Sequence, residues 1–433
     1  MRSILNIDLN KLFVPALMLT VISIVYGAEE KIPDKAEFYY GKGLDKFTNR
    51  QLDSAIVYFS KAIEIYPEYS KAYNYRGNSY HKLGKYSEAL EDFNKAIQSN
   101  KKFASAYKNR GNTYKELNDF EKAIKDFSKA LEINPNDASL YYNRAVYYAE
   151  TGKPEKAIKD YQKVLSIEPD NINALYGEAS VYFEQKKYSE AVRELNKAIE
   201  INSSSDKFFE LRGAIYQTTG NYQKAVHDYT KAIGLDSNIL NNYLNRAVSY
   251  FKMEKYDSAL NDFKTVYRKD PGKSPVKYYL GLLHDKKGNY LTAIDFYTKA
   301  IKDDHNDIEA LVNRAALYYN TKEYEKAIED YNTLIDKSYE EANIFINRGN
   351  SHLILGNADK ALRDYSKAIE MEPNSARHYF NRGNAYKMKK NYEKAIEDYR
   401  KFLELAEEKD GLQNYAIRVK KEIRQMKKIL NQK

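Results

Sequence analysis

Small and apolar residues recur along this chain with a fixed beat. Alanine returns every 34 residues from Ala55 through Ala89, Ala123, Ala157, Ala191, Ala225, Ala259, Ala293, Ala327 and Ala361 to Ala395. Twelve residues before each alanine stands only Gly or Ala, from Gly43 to Gly383. Nine before it stands an aromatic in most repeats (Tyr80, Tyr114, Tyr148), with His284 and His352 as substitutes, and four after it Phe or Tyr, with Leu195 the exception. Offsets of three and four put these positions on one face of a helix, so each repeat is expected to hold two amphipathic helices, A and B. In the second repeat the pattern predicts helix A over Lys71–Leu83 and helix B over Ser87–Gln98. Pro67, Pro135, Pro169, Pro271 and Pro373 are placed to end helix B, since proline lacks the donor and clashes with the preceding turn. Pro154 and Pro275 read as first-turn prolines. A fixed period of this length means stacked supersecondary units rather than one globular core.

The pattern resembles the tetratricopeptide repeat family. In the third repeat its carriers are Tyr107, Gly111, Tyr114, Ala123, Phe127, Ala130 and Pro135, and the likeness spans residues 36–409. It departs from the family in lacking tryptophan throughout, in Lys277 of the eighth repeat, and in Leu175 and Leu195 of the fifth. The expected fold is all-α: a right-handed superhelical α-solenoid of about eleven helix-turn-helix repeats, closed by a C-terminal capping helix within residues 410–433.

A second correlation runs through the repeats. Thirteen residues before the alanine is Arg and three after it Asp in eight repeats: Arg76 with Asp92, Arg110 with Asp126, Arg144 with Asp160, Arg212 with Asp228, Arg246 with Asp262, Arg314 with Asp330, Arg348 with Asp364 and Arg382 with Asp398. The eighth repeat replaces both, by Leu280 and Phe296, and the fifth has Glu178 and Glu194. Joint loss points to a partly buried ion pair across the two helices, because either charge alone would be costly. Two unrelated surface charges are the alternative.

Composition removes several function classes. The formal charge of +9 is concentrated at the C-terminus: residues 412–433 carry +6 and residues 1–28 carry +1, which leaves the array at +2. A nearly neutral array with no basic stripe argues against nucleic acid. There is no cysteine, which excludes disulfides, thiolate metal sites and cysteine catalysis. His81, His227, His305 and His378 are scattered without ligand spacing, and no segment is left to hold a catalytic domain. No enzyme, cofactor or metal is expected. Leu12–Tyr26 is apolar and uncharged, preceded by Arg2 and Lys11 and followed by Gly27 and Ala28, so residues 1–28 read as an export signal cleaved near Gly27 or Ala28, or as an uncleaved anchor. Localisation is therefore expected to be periplasmic, envelope-associated or secreted.

Function should lie on the face of helix A that turns away from helix B, at residues 18, 15, 14, 11 and 8 before each alanine. In the family this face lines a concave groove for peptides, and the resemblance implies the same here. The second and third repeats make it polar and basic: Lys71, Asn74, Asn78, His81, then Ser105, Lys108, Asn112, Lys115. Repeats seven to ten make it apolar, with Leu244, Val248, Phe251, Tyr278, Leu282, Val312, Ala316, Tyr319, Ile346 and Leu353. Such a strip usually marks a partner site, unless the stack closes on itself or a terminal segment fills the groove. An asparagine series fourteen before the alanine (Asn109, Asn143, Asn245, Asn313, Asn347, Asn381), with Asn350 and Asn384 beside it, could pair with the backbone of an extended peptide or bond the neighbouring repeat. A clamp for a terminal carboxylate matches at Lys108, Asn112 and Asn143 but lacks basic groups at Asn173 and Gly177.

After the last repeat, Leu412, Ala416, Val419, Ile423, Met426 and Leu430 form one stripe of a helix otherwise carrying Lys420, Lys421, Arg424, Lys427 and Lys428. It reads as a cap over the final apolar face, or as an attachment to an anionic membrane or acidic partner. The expected role is a protein-interaction scaffold; a structural envelope subunit held through the basic end, or an accessory subunit of an enzyme, are the alternatives.

Overall fold

The computed structural model describes residues 31–273, 275–406 and 412–432; Leu12–Tyr26 and the export reading built on it lie outside them. Every described element is an α-helix, and the helices come in pairs. Helix A and helix B of the second repeat are Ser70–Lys82 and Tyr86–Ser99, within a residue of the pattern's prediction. Helix B ends two residues before Pro67, Pro135, Pro169, Pro271 and Pro373. Pro154 opens its helix, whereas Pro275 sits one position earlier than expected, as the N-cap residue of Val276–Lys286. The helix pairs partition into two compact bodies at Ser204/Ser205, with repeats 1–5 in the N-terminal body and repeats 6–11 with the last helix in the C-terminal one.

Every pair except that of repeat 5, where Leu195 replaces the ring, is locked by a ring against a small residue. A Cβ added at Gly77 would stand 2.8 Å from the Phe93 ring, and one at Gly383 2.7 Å from Tyr399, so the helices approach closer than side chains would otherwise allow. The periodic alanines and the rings four residues on, among them Phe59, Phe93, Phe127, Tyr229, Tyr297 and Tyr365, are wholly buried.

In eight repeats the ion pair that the joint substitutions imply lies beside the ring, and its geometry is bidentate. Arg314 Nε donates to Asp330 Oδ2 at 2.8 Å and Nη2 to Oδ1 at 2.7 Å; Arg76 meets Asp92 at 2.9 and 2.7 Å. All eight pairs form, with aspartates almost fully buried. Burial works against the charge on Arg314, and the hydrogen bonds and field of Asp330 outweigh it, so the guanidinium pKa rises. Burial also pushes the Asp330 carboxyl up; two charge-assisted bonds under 3.0 Å decide for an ionised pair. The remaining Nη1 reaches back to helix B of the preceding repeat: Arg76 to Ser60, Arg110 to Asn94, Arg144 to Ser128, Arg246 to Thr230, Arg314 to Thr298, Arg348 to Asn332 and Arg382 to Ser366. One guanidinium thus ties two helices of its own repeat to the repeat before.

Gln413–Leu430 packs Val419, Ile423 and Met426 on Tyr399, Phe402 and Ala406 of the eleventh repeat, and Lys387 Nζ bonds Glu422 at 2.7 Å. Its other face exposes Arg418, Lys420, Lys421, Arg424, Lys427 and Lys428. No described helix is long and apolar enough to cross a membrane.

Candidate functional site

Within the bodies, helix A touches helix A of the next repeat in repeats 1–2, 2–3, 4–5, 6–7, 9–10 and 10–11, while no two B helices come as close. The A helices therefore line the inner side; of the residues expected there, the apolar ones of repeats 7–10 are half-buried, while in repeats 2 and 3 Asn74 is buried and Lys71, Ser105 and Lys115 are exposed.

In the C-terminal body the apolar strip is anchored from below. Val248 and Phe251 rest on the core of Ala247, Phe263 and Leu280, Tyr278 on Tyr297 and Ala310, Tyr319 on Leu311 and Tyr331, and Leu353 on Tyr365. Phe251 meets Tyr279 edge-on at 5.9 Å, and Tyr319 meets Tyr324 at 5.5 Å. Leu282, between Phe251 and Tyr319 in repeat order, is half-exposed. Packing holds these rings in place without removing them from the surface, which is what a preformed apolar groove needs.

The asparagines split by partner. Tyr365 donates its hydroxyl to Asn350 Oδ1 at 2.8 Å, and Tyr399 to Asn384 Oδ1 at 2.7 Å, so each amide is oriented from below, and among the described residues its NH2 has no acceptor. Asn313 lies beside the phenols of Tyr297 and Tyr278, and Asn347 beside Tyr331. Burial drives these phenols upward, and the asparagine amides act against it. Among the described residues neither the Tyr297 nor the Tyr331 hydroxyl reaches a partner at full hydrogen-bond geometry. Burial, joined by the Glu422 charge, pushes Tyr399 up to about 12. Asn245 accepts Gln217 Nε2 at its backbone carbonyl, and Gln217 in turn accepts the Tyr229 hydroxyl. Asn381 is half-buried on the same side.

The N-terminal body has the polar version. Asn109 Nδ2 donates to the buried Asn74 Oδ1 at 2.9 Å, His81 Nδ1 meets Thr113 Oγ1 at 3.0 Å, and Lys108 Nζ donates to Ser139 Oγ at 2.6 Å. These bonds join successive A helices, so Asn109 and Lys108 are engaged in the fold. Asn78, Asn112 and Asn143 are half-buried on the same side. Asn78 and Asn112 belong to repeats whose ring is Phe93 or Phe127, which has no hydroxyl to hold an amide. Repeat phase marks most of the rings four after the alanine as packing rings and does not show which of them also hold an amide. Tyr rather than Phe there, in the same repeat as an Asn eleven before the alanine, is the signal that separates Asn350 and Asn384 from Asn78 and Asn112. Among the described residues no three His, Asp or Glu converge as a metal site would need.

The arrangement defines a class: stacked helix-turn-helix repeats with a side-chain-lined inner face. Sequence models described as tetratricopeptide repeat match residues 36–69, 70–103, 104–137, 138–171, 207–239, 244–308, 296–329 and 376–409, and a model described as TPR repeat matches 179–220 and 349–390. The chain belongs to the tetratricopeptide repeat family, whose arrays are scaffolds for protein–protein interaction and in general carry no catalytic centre. It is 39% identical over 54 residues to an uncharacterised protein of Methanocaldococcus jannaschii; the match covers 12% of this chain and spans 63% of that relative's length. Similar solved structures include a tetratricopeptide repeat protein from Parabacteroides merdae, 24% identical over 58% of this chain and 99% of that one, with a TM-score of 0.43. The C-terminal part of a TPR repeat-containing protein from Cytophaga hutchinsonii is 19% identical over 54% and 96%, at 0.49. YrrB, described as a TPR protein with an unusual peptide-binding site, is 22% identical over 42% and 95%, at 0.40.

Proposed function

We propose that the C-terminal body binds a segment of a partner protein along its inner face, apolar side chains of that segment lying on Val248, Phe251, Tyr278, Leu282 and Tyr319 and its backbone meeting the amides of Asn350 and Asn384. The observation that carries this reading is the run of half-exposed apolar residues over consecutive A helices, on the side where a soluble stack would otherwise be polar. Amides alone would give only millimolar-range affinity at about 1 kcal/mol each, so the apolar contacts must supply most of the binding. Peptides selected on the full chain from a displayed library test this by fluorescence anisotropy. Leu282→Glu and Tyr319→Glu should each weaken binding about 30-fold, roughly 2 kcal/mol, while Lys360→Glu on the exposed part of helix B leaves it unchanged. Equal affinity in Leu282→Glu and wild type would refute the groove. Export belongs to the same reading, on the apolar Leu12–Tyr26, and the intact mass of the mature protein tests removal near Gly27 or Ala28.

A further inference from the structure

Within the N-terminal body, the position seventeen residues before the periodic alanine is covered by the preceding repeat. Ala72, Ala106, Leu140 and Ala174 stand there, each at most 1% exposed. Ala72 packs on Ala62 and Ile63 of the helix B before it, Leu140 on Ala130 and Leu131, and Ala174 on Val164. In the first repeat this position is Phe38, and it is 59% exposed. A surface built as an inter-repeat contact thus presents a large aromatic, and no described residue covers it.

The rest of that face shows what fits it. Lys35, Phe38, Lys42 and Asp45 form one exposed stripe of helix A (Asp34–Thr48) at spacings of three and four, flanked by Asp34 and Lys46. Lys42 Nζ lies 5.6 Å over the Phe38 ring, and neither Lys35 nor Lys42 has an ion-pair partner among the described residues. Among the described residues the Asp45 carboxylate has only a hydrogen bond from Asn49 at 3.2 Å and a 3.9 Å contact with Lys46. The charge order is self-complementary. Two copies of this helix laid antiparallel about a two-fold axis at the level of Tyr40 set Phe38 against Lys42, Lys35 against Asp45 and Asp34 against Lys46, each from the other copy. Gly41 supplies an independent observation. It sits in mid-helix, where glycine weakens the helix, yet a Cβ there would meet nothing within 4 Å, so the described residues of one chain give no reason for it. Next to a two-fold axis, a missing Cβ lets two helices approach closely. A head-to-tail contact is disfavoured, because it would set Lys35 and Lys42 against the cationic outer face of Gln413–Leu430.

We infer that the first repeat is a homodimer interface in which helix A pairs antiparallel with helix A of a second copy of this chain. The site is separate from the inner face of repeats 7–10. Sedimentation equilibrium of the full chain through the micromolar range tests it. Wild type should dimerise, Phe38→Asp should weaken the dimer at least tenfold with unchanged circular dichroism, and Leu282→Glu should leave it intact. Lys35→Asp and Asp45→Lys should each weaken it, and the two together should restore it, which only pairing between copies in this register explains. The chain contains no cysteine, so Gly41→Cys should yield a disulfide-linked dimer on oxidation, a readout that holds even if Phe38→Asp fails to fold. A monomer throughout the range, a dimer indifferent to Phe38→Asp, or a charge swap that restores nothing would each overturn the inference, the first leaving the face to another partner or to the chain's own upstream residues.

Discussion

Repeats 8 and 9 are neighbours in the C-terminal body and hold their helix pairs by different means. Repeat 9 uses the charged clamp, with Arg314 bound to Asp330 and reaching back to Thr298. Repeat 8 has Leu280 and Phe296 at the two clamp positions, and His284 stacks on Phe296 at 5.6 Å with an interplanar angle of 11°. Both bury the same ring, Tyr297 or Tyr331, against a small residue, Gly281 or Ala315. The comparison teaches that steric fit of ring to small residue makes the repeat, while the guanidinium is one of two ways to fill the space beside it. An apolar pair does this as well as an ionic one, provided that both members change together.

Breaking the clamp on one side gives the largest expected effect. Arg314→Leu leaves Asp330, 5% exposed, without its counter-charge and frees Thr298, which should cost about 3–5 kcal/mol. Arg314→Leu with Asp330→Phe copies repeat 8 and should recover most of that loss. Urea unfolding of the full chain, with hydrogen exchange over Ile308–Asn320 to localise the change, measures both. If the double variant is no more stable than the single one, the two arrangements are not equivalent and the comparison fails.

A smaller effect separates the turns of the same two repeats. The residue five before the alanine has positive φ in every repeat, and repeat 8 places Gly288 there (φ 74°) while repeat 9 places Lys322 (φ 66°). A side chain in the left-handed region is strained by roughly 1 kcal/mol. Lys322→Gly should therefore stabilise repeat 9 by about 0.5–1 kcal/mol, and Gly288→Lys should destabilise repeat 8 by a similar amount. Asn118→Gly should gain less, because asparagine tolerates this conformation.

The period, the helix pairs and the Arg–Asp pairing were legible because each is a steric or electrostatic demand repeated against a changing background, the first two eleven times and the pairing eight. The third arm of the clamp was not. Its acceptors, Ser60, Asn94, Thr230 and Asn332 among them, vary in kind, belong to the preceding repeat, and look like ordinary surface residues until the guanidinium is placed. The inner-face residues were legible as a face but not as individuals. Whether an asparagine is held from below depends on a hydroxyl fifteen residues away, as Asn384 depends on Tyr399, and spacing alone reads that ring as packing. The exposed Phe38 stands out only beside the burial of Ala72, Ala106, Leu140 and Ala174.

Repeat 5, in the other body, sharpens the comparison with a third solution at the clamp positions and the smallest predicted effect. Glu178 and Glu194 are both buried there. Gln162 Nε2 donates to Glu178 at 3.0 Å, while Glu194 is held by Arg193 and Lys197, each at 2.8 Å. Burial raises the Glu178 pKa, the like charge of Glu194 adds to the rise, and the hydrogen bonds of Gln162 and Tyr182 and the more distant Lys197 oppose it. With its folded value above the unfolded one, Glu178 binds its proton more tightly in the native state. Its stabilising contribution is complete below the ordinary glutamate range and is lost as pH rises through the raised value. Glu178→Gln keeps an acceptor for Gln162 and removes the titration. Near pH 4 the variant and wild type should melt alike, and at pH 7 the variant should melt higher, by on the order of 2 °C. A melting difference that does not change between these two pH values would mean that Glu178 titrates alike in the folded and unfolded chain, and that repeat 5 accommodates its acid pair as easily as repeat 9 does its clamp.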